Sequence, residues 1–289
     1  MGEKDITEKL LEAYNEVFAD IVNTLLFCGE RVIDPDDLED YPTISGYKAD
    51  GKIRELGRDV AKRWRQQNIR IAFIGFENQT EPDPYMTLRV AGYDGTEYRA
   101  QMINLKKGEK PYPVITIVLY FGFEKRWDQP VTLYDSLDIS EKLKPYVNDL
   151  KLNLFEIAYL DRETVSKFRS DFRIVADYFV QMRETGDYVP SREEMEHVQA
   201  VLQLLNVMAD DKRFEIKQNE KIEEREVKTM ADWLTKKLND SEEKGRNEGE
   251  NRMGKLINIL LNQGRTDDLS KAADDPKYRE KLFNEFQIA

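Results

Sequence analysis

The chain has 289 residues, 40% apolar and 35% charged, with a net charge of −12. That length supports a sizeable core in one or two domains, while the acidic balance argues against a passive, sequence-blind nucleic-acid binder. Cys28 is the only cysteine and His197 the only histidine, which excludes intramolecular disulfides and a structural zinc site and leaves hard cations held by carboxylates.

No apolar run approaches the roughly 18 residues of a membrane span. The charged start lacks the apolar core of a secretory signal. The expectation is a cytoplasmic protein with no membrane partner.

Residues 5–27 predict a helix, because Leu10, Tyr14, Val17, Ile21 and Leu25 recur at helical spacing and Leu11, Phe18 and Val22 widen the stripe; Gly29 can end it. Residues 34–51 are polar, with Pro35, Pro42 and two glycines, and read as a loop with one helical turn. Residues 53–64 and 69–79 predict two strands, the second rich in Ile and Phe, joined at 66–68 as a hairpin. Pro82 and Pro84 close that segment, and 85–105 predict a second helix with Met86, Val90, Tyr93 and Met102 among its apolar positions. Residues 114–121 are β-branched and almost wholly apolar, as expected of a central buried strand. A further strand is expected within 153–159, and helices over 166–183 and 192–208. The stretch 211–254 is dominated by Glu, Lys, Arg and Asn. The fold class is therefore α/β: a mixed sheet flanked by helices, followed by a helical C-terminal region. The expected division is a core over 1–160, a helical extension packed on it over 161–210, and a charged helical tail over 211–289.

Asp59 and Glu77 fall on the two hairpin strands. If the turn centres near Asn68, opposed residues sum to about 136 and the two carboxylates lie side by side, with Gln79 on the face of Glu77. Two carboxylates and a water-orienting amide can serve a divalent cation in phosphodiester hydrolysis. Spacing alone favours an ordinary reading, with Asp59 a strand-edge acid paired to Arg58 or Arg63 and Glu77 a strand-end residue. The run 52–70 carries seven basic residues against Glu55 and Asp59, which suits either phosphate binding or a solvated strand edge.

The segments Arg58-Asp59-Val60-Ala61-Lys62 and Gly75-Phe76-Glu77-Asn78-Gln79-Thr80 resemble the active-site hairpin of the recombination-promoting nuclease, or transposase-associated, family of the PD-(D/E)XK nuclease superfamily. Further similarity lies in Phe18-Ala19-Asp20 with Asn23 and Phe27, in Tyr85-Met86-Thr87-Leu88-Arg89 with Tyr93-Asp94, Tyr98 and Gln101, and in 113–122 with Trp127 and Pro130. Phe168, Ser170-Asp171-Phe172 and Val175 continue it, and Gly245 and Gly249 in a charged helix resemble the family's tail. The resemblance implies a PD-(D/E)XK restriction-endonuclease-like core. It implies an endonuclease acting on DNA with magnesium or manganese, in recombination, mobile-element biology or phage defence. It implies Asp59 and Glu77 as metal ligands, Gln79 as the third catalytic residue where the superfamily has lysine, and Asp20, or Glu16 one turn earlier, as a further acidic ligand. A glutamine lacks lysine's charge, which leaves open a weakened nuclease serving as a DNA-binding or assembly module.

Arg58, Lys62, Arg63, Arg89 and Gln101 are the candidate substrate contacts. Arg89 could clamp phosphate or serve as a structural ion-pair partner. Lys62 alternates with Asp59 and Ala61 and is expected on the opposite face, at the surface. Tyr85 and Tyr93 are expected in the core, and His197 in a structural role. Met253, Leu256, Ile257, Leu260 and Leu261 form one helical stripe, which suits homo-oligomerisation through the C-terminal helices or packing on its own chain.

Overall fold

The computed structural model describes residues 11–41, 44–49, 52–57, 60–66, 69–74, 82–216 and 227–288. Two compact units divide the chain, Met1–Met230 and Ala231–Ala289.

The first unit opens with helical residues 11–13, a bend at Tyr14, and helix α1 (Asn15–Phe27). Most of its apolar stripe is used: Leu11, Val17, Phe18, Ile21 and Val22 are buried, Leu25 is half-buried and Tyr14 is exposed. Gly29, at φ +92°, takes the left-handed turn beyond the helix and donates its N–H to Asn23 O at 2.9 Å. A 3₁₀ turn at Pro35–Asp37 is the single helical turn expected in this region. The rest of that region differs from the expected loop, because it holds strands β1 (Leu38–Asp40) and β2 (Ile44–Ala49). The segment read as one strand over 53–64 is two: β3 (Lys52–Gly57) pairs with β2 in a two-stranded sheet, and β4 (Val60–Trp64) enters the main sheet.

Strand β5 (Ile69–Ile74) pairs antiparallel with β4, which is the expected hairpin. Its register is Val60↔Phe73 and Ala61↔Ala72. The opposed numbers fall three short of the expected sum, because the turn centres nearer Gln66 than Asn68. Helix α2 (Met86–Asn104) then crosses to β6 (Val114–Tyr120), parallel to β5, and β7 (Asn153–Glu156) lies parallel to β6. The main sheet runs β1-β4-β5-β6-β7, a mixed sheet as expected. A short helix, α3 (Leu133–Ser136), lies between β6 and β7.

The helix expected over 166–183 is broken into α4 (Arg162–Lys167) and α5 (Phe172–Thr185). The break is held from outside: Asp20 Oδ2 accepts from Arg169 N, Ser170 N and Ser170 Oγ, each at 2.7 Å. Helix α6 (Val198–Ala209) starts later than 192, and its approach is pinned by Asp171, whose carboxylate accepts from Glu196 N at 3.1 Å and His197 N at 2.6 Å.

The sheet is covered on both faces. Val118 of β6 packs with Met86, Val90 and Tyr93 of α2 and with Leu152. On the opposite face Phe121, just beyond β6, meets Phe172 and Phe179 of α5, with centroids 6.3 and 5.1 Å away. Lys62 of β4 lies 5.8 Å from the Phe18 ring of α1. Alternation along a strand gives each face its own set of side chains.

The second unit is helical. The long helix α7 (Met230–Asn262) is followed by α8 (Thr266–Asp274) and α9 (Pro276–Glu285). Leu256 and Leu260 of the predicted stripe are buried with Ala272, Leu282, Phe283 and Ile288 of the same chain. Asp275 caps α9 by accepting from Lys277 N and Tyr278 N. Among the described residues no helix is long and apolar enough to cross a membrane.

Candidate functional site

The topology gives the main sheet two distinct ends. Val60 opens β4 opposite Phe73 near the close of β5, and Ile74 pairs with Val118 toward the close of β6. The start of β4 and the carboxyl ends of the parallel strands therefore share one end, where ligands of such sheets are commonly held. Asp59 directly precedes Val60, and Glu77 follows Ile74 by three positions. Arg58, Asp59, Glu77 and Gln79 themselves, with Asn78, lie outside the described residues.

Helix α2 runs from this end to the other. Its first turns pack on Val118, Asp94 accepts from Thr116 Oγ1 at 2.6 Å, and Glu97 meets Arg70. Arg89 thus stands at the end shared by Val60 and Ile74. Its Nη1 lies 2.8 Å from Asp83 Oδ2, and Nη2 donates to Tyr93 Oη at 3.3 Å. Asp83 also accepts from Tyr85 N at 2.8 Å, which sets the approach to the helix. Tyr93 is buried as expected, whereas Tyr85 is 65% exposed, because it precedes the first turn instead of riding its inner face. Glu156, paired in register with Tyr120, accepts from Trp127 N at 2.8 Å and from Arg126 Nη1 at 3.4 Å at the same end. No pattern in the sequence singled out Glu156 or Arg126.

Lys62 is not a surface residue. It is 1% exposed, with its Nζ 2.5 Å from Asp40 Oδ1 on the neighbouring edge strand. The alternation argument gave it the right face, but that face lies beneath α1.

Arg63 and Gln101 come together at the other end of the sheet. They line a cavity of about 450 Å³ with Tyr41, Leu105, Lys110 and Tyr112. Beneath it is a buried polar cluster. Arg70 and Glu97 form an ion pair at 1% and 3% side-chain exposure, and Arg70 sits 4.1 Å from the Tyr41 ring centroid. Tyr41 and Tyr112 each donate to Glu97 Oε1 at 3.3 Å, and their hydroxyls lie 3.0 Å apart. Burial, reinforced by the Tyr41 hydroxyl, pushes the Tyr112 phenol up to about 12.

Asp20 and Glu16 line a third region, a cavity of about 450 Å³ that reaches Gln66 in the hairpin turn. Asp20 is engaged with residues 169 and 170 as described. Glu16 Oε1 lies 2.6 Å from His197 Nε2, and the imidazole stacks on Tyr14 at 3.6 Å. Glu16, Glu196 and His197 bring one ligand atom each within 4.8 Å of the others.

The structure therefore distributes the candidates. Arg89 stands at the end of the sheet adjoining Asp59 and Glu77 in sequence, Arg63 and Gln101 at the opposite end, Lys62 under α1, and Asp20 in the cavity that opens toward the hairpin turn. No curated protein and no solved structure matches the chain. The family model described as "Putative transposase, YhgA-like" matches residues 65–215, just over half of the chain. That span runs from the hairpin turn to the 3₁₀ turn at Lys212–Phe214, and so includes Glu77, Gln79, Arg89 and Gln101. The chain belongs to the YhgA-like putative transposase family.

Proposed function

We propose that the chain is a metal-dependent DNA endonuclease with a PD-(D/E)XK-type core, acting in mobile-element biology. The supporting observation is the antiparallel β4–β5 pairing beside the parallel β6, which brings Val60 and Ile74 to one end of the sheet. Membership of a family named for transposition agrees with a DNA-cleaving role.

In this reading Asp59 and Glu77 are hard oxygen donors suited to magnesium or manganese. A bound cation supplies Lewis-acid stabilisation and a more acidic water. Gln79 orients that water by hydrogen bonding, since an amide cannot take its proton. Arg89, held by Asp83, presents positive charge toward the phosphate from the start of α2. Asp20 is already committed to three donors on one oxygen, so the proposal rests on Asp59 and Glu77.

The test is supercoiled plasmid with magnesium or manganese, beside Asp59→Ala and Glu77→Ala. Nicking or linearisation by the wild type is expected, with a loss of at least about 100-fold in either variant. Equal cleavage by all three proteins overturns the site. The substitution of lysine by Gln79 favours a second reading, a DNA-binding module without cleavage. DNA retention with no cleavage under either metal would establish it.

Homo-oligomerisation through the C-terminal helices belongs to the same proposal. Residues 238–251 of α7 are exposed at every position, while Leu256 and Leu260 are used within the chain. A monomer by light scattering at micromolar concentration would remove that part.

A further inference from the structure

The cavity at the amino end of the parallel strands combines aromatic, amide and charged side chains. The Tyr112 ring, Leu105 and Ala100 give it apolar wall, and Arg63 and Lys110 give it positive charge against one carboxylate, Glu109, which already accepts from Lys106 N at 2.9 Å. Arg63 approaches the Tyr112 ring at 5.7 Å. Gln101 is only 6% exposed. Its Oε1 accepts from Tyr112 N at 2.9 Å, which fixes the amide's orientation and makes Nε2 the remaining donor. That Nε2 has no hydrogen-bond partner among the described residues. Buried amide donors are rarely left so unless a ligand or a rearrangement of the side chain satisfies them. Tyr112, with its hydroxyl held as a phenol, keeps an uncharged aromatic wall at neutral pH.

A flat apolar wall, an unsatisfied amide donor and two cations at the rim select a ligand with a planar face, an acceptor edge and an anionic group. The volume of about 450 Å³ is that of a small-molecule site. We propose that this cavity holds one nucleotide unit. Its base lies along Tyr112 and Leu105 with an acceptor edge toward Gln101, and its phosphate lies at Lys110 and Arg63. A free mononucleotide and an unstacked unit of a DNA strand offer the same chemistry. The inference does not depend on Asp59 or Glu77, whose neighbours Val60 and Ile74 mark the opposite end of the sheet.

The test is calorimetry on the full chain in chelator, with deoxyadenosine monophosphate, inorganic phosphate and a 5′-phosphorylated oligo-deoxyadenylate hexamer as probes. The mononucleotide is expected to bind about tenfold or more tightly than phosphate. Lys110→Glu and Arg63→Gln should each weaken it by about tenfold, the size of one lost charge-assisted contact. Lys110 is exposed, so its variant should keep the wild-type unfolding midpoint. If the hexamer binds and the mononucleotide displaces it, the unit comes from a strand; if only the mononucleotide binds, the free nucleotide is the ligand. Phosphate binding as tightly as the mononucleotide, unchanged affinity in folded Lys110→Glu, or no binding of either nucleotide probe would overturn the proposal. Asp59→Ala should retain this binding, so the two proposals fail separately.

Discussion

The two faces of the main sheet hold their helices by different means. Against α5 the contact is apolar: Phe121, Phe172 and Phe179 meet ring to ring, and nothing in it needs a specific partner atom. Against α2 the contact is apolar at one end, around Val118 and Tyr93, but polar along the rest, with Thr116 bonded to Asp94 and Arg70 paired to Glu97. Burial without direction tolerates sliding, whereas a buried ion pair fits only one register. The polar face thus fixes where α2 stands along the strands, and with it where Arg89 and Gln101, both carried on that helix, meet the two ends of the sheet.

Four variants test that contrast by chemical denaturation. Glu97→Ala should have the largest effect, about 3–5 kcal/mol, because it strips the carboxylate from a buried guanidinium. Replacing both partners, Arg70→Met with Glu97→Leu, should recover most of that loss, and failure to recover would mean that the pair matters for more than its own desolvation. Phe179→Leu should cost only about 1–2 kcal/mol, since its neighbours lose area but no obligatory partner. A cost equal to that of Glu97→Ala would erase the distinction between the faces. Thr116→Val should be smallest, about 1 kcal/mol, one hydrogen bond at a partly exposed acid.

Much of the fold was legible where a pattern is local. The hairpin, α2 and β6 follow from β-branched runs, prolines and helical spacing, all read within a dozen residues. Strand β1 was missed because it has three residues, two of them acidic, and β2 because Ser45, Gly46 and Lys48 break its apolar pattern. The preceding segment is held by distant side chains: Asn15 Nδ2 donates to Pro35 O and Leu38 O, and Asn23 pairs with the backbone of Val32 and Ile33. The break between α4 and α5 was invisible for the same reason, since its cause is Asp20. Alternation gives Lys62 its face but not what covers that face, and it is buried there because α1 lies over it and Asp40 on the adjacent strand supplies a counter-charge at the sheet edge. At the candidate site, Asp59, Glu77 and Gln79 were suggested by spacing and raised by resemblance. The Arg63–Gln101 cavity joins side chains from β4 and α2 through Tyr112, a tertiary meeting that spacing does not encode.

The three hydrogen bonds on Asp20 span 149 and 150 positions of the chain. During synthesis at roughly 5–20 residues per second, that separation corresponds to about 7–30 seconds. Through that interval α1 exists without the backbone donors that its aspartate will take, and without the Phe172 region that follows them. The part of α1 that residues 169–197 will meet therefore waits through that interval, open to a chaperone or an aggregate in competition with the finished fold.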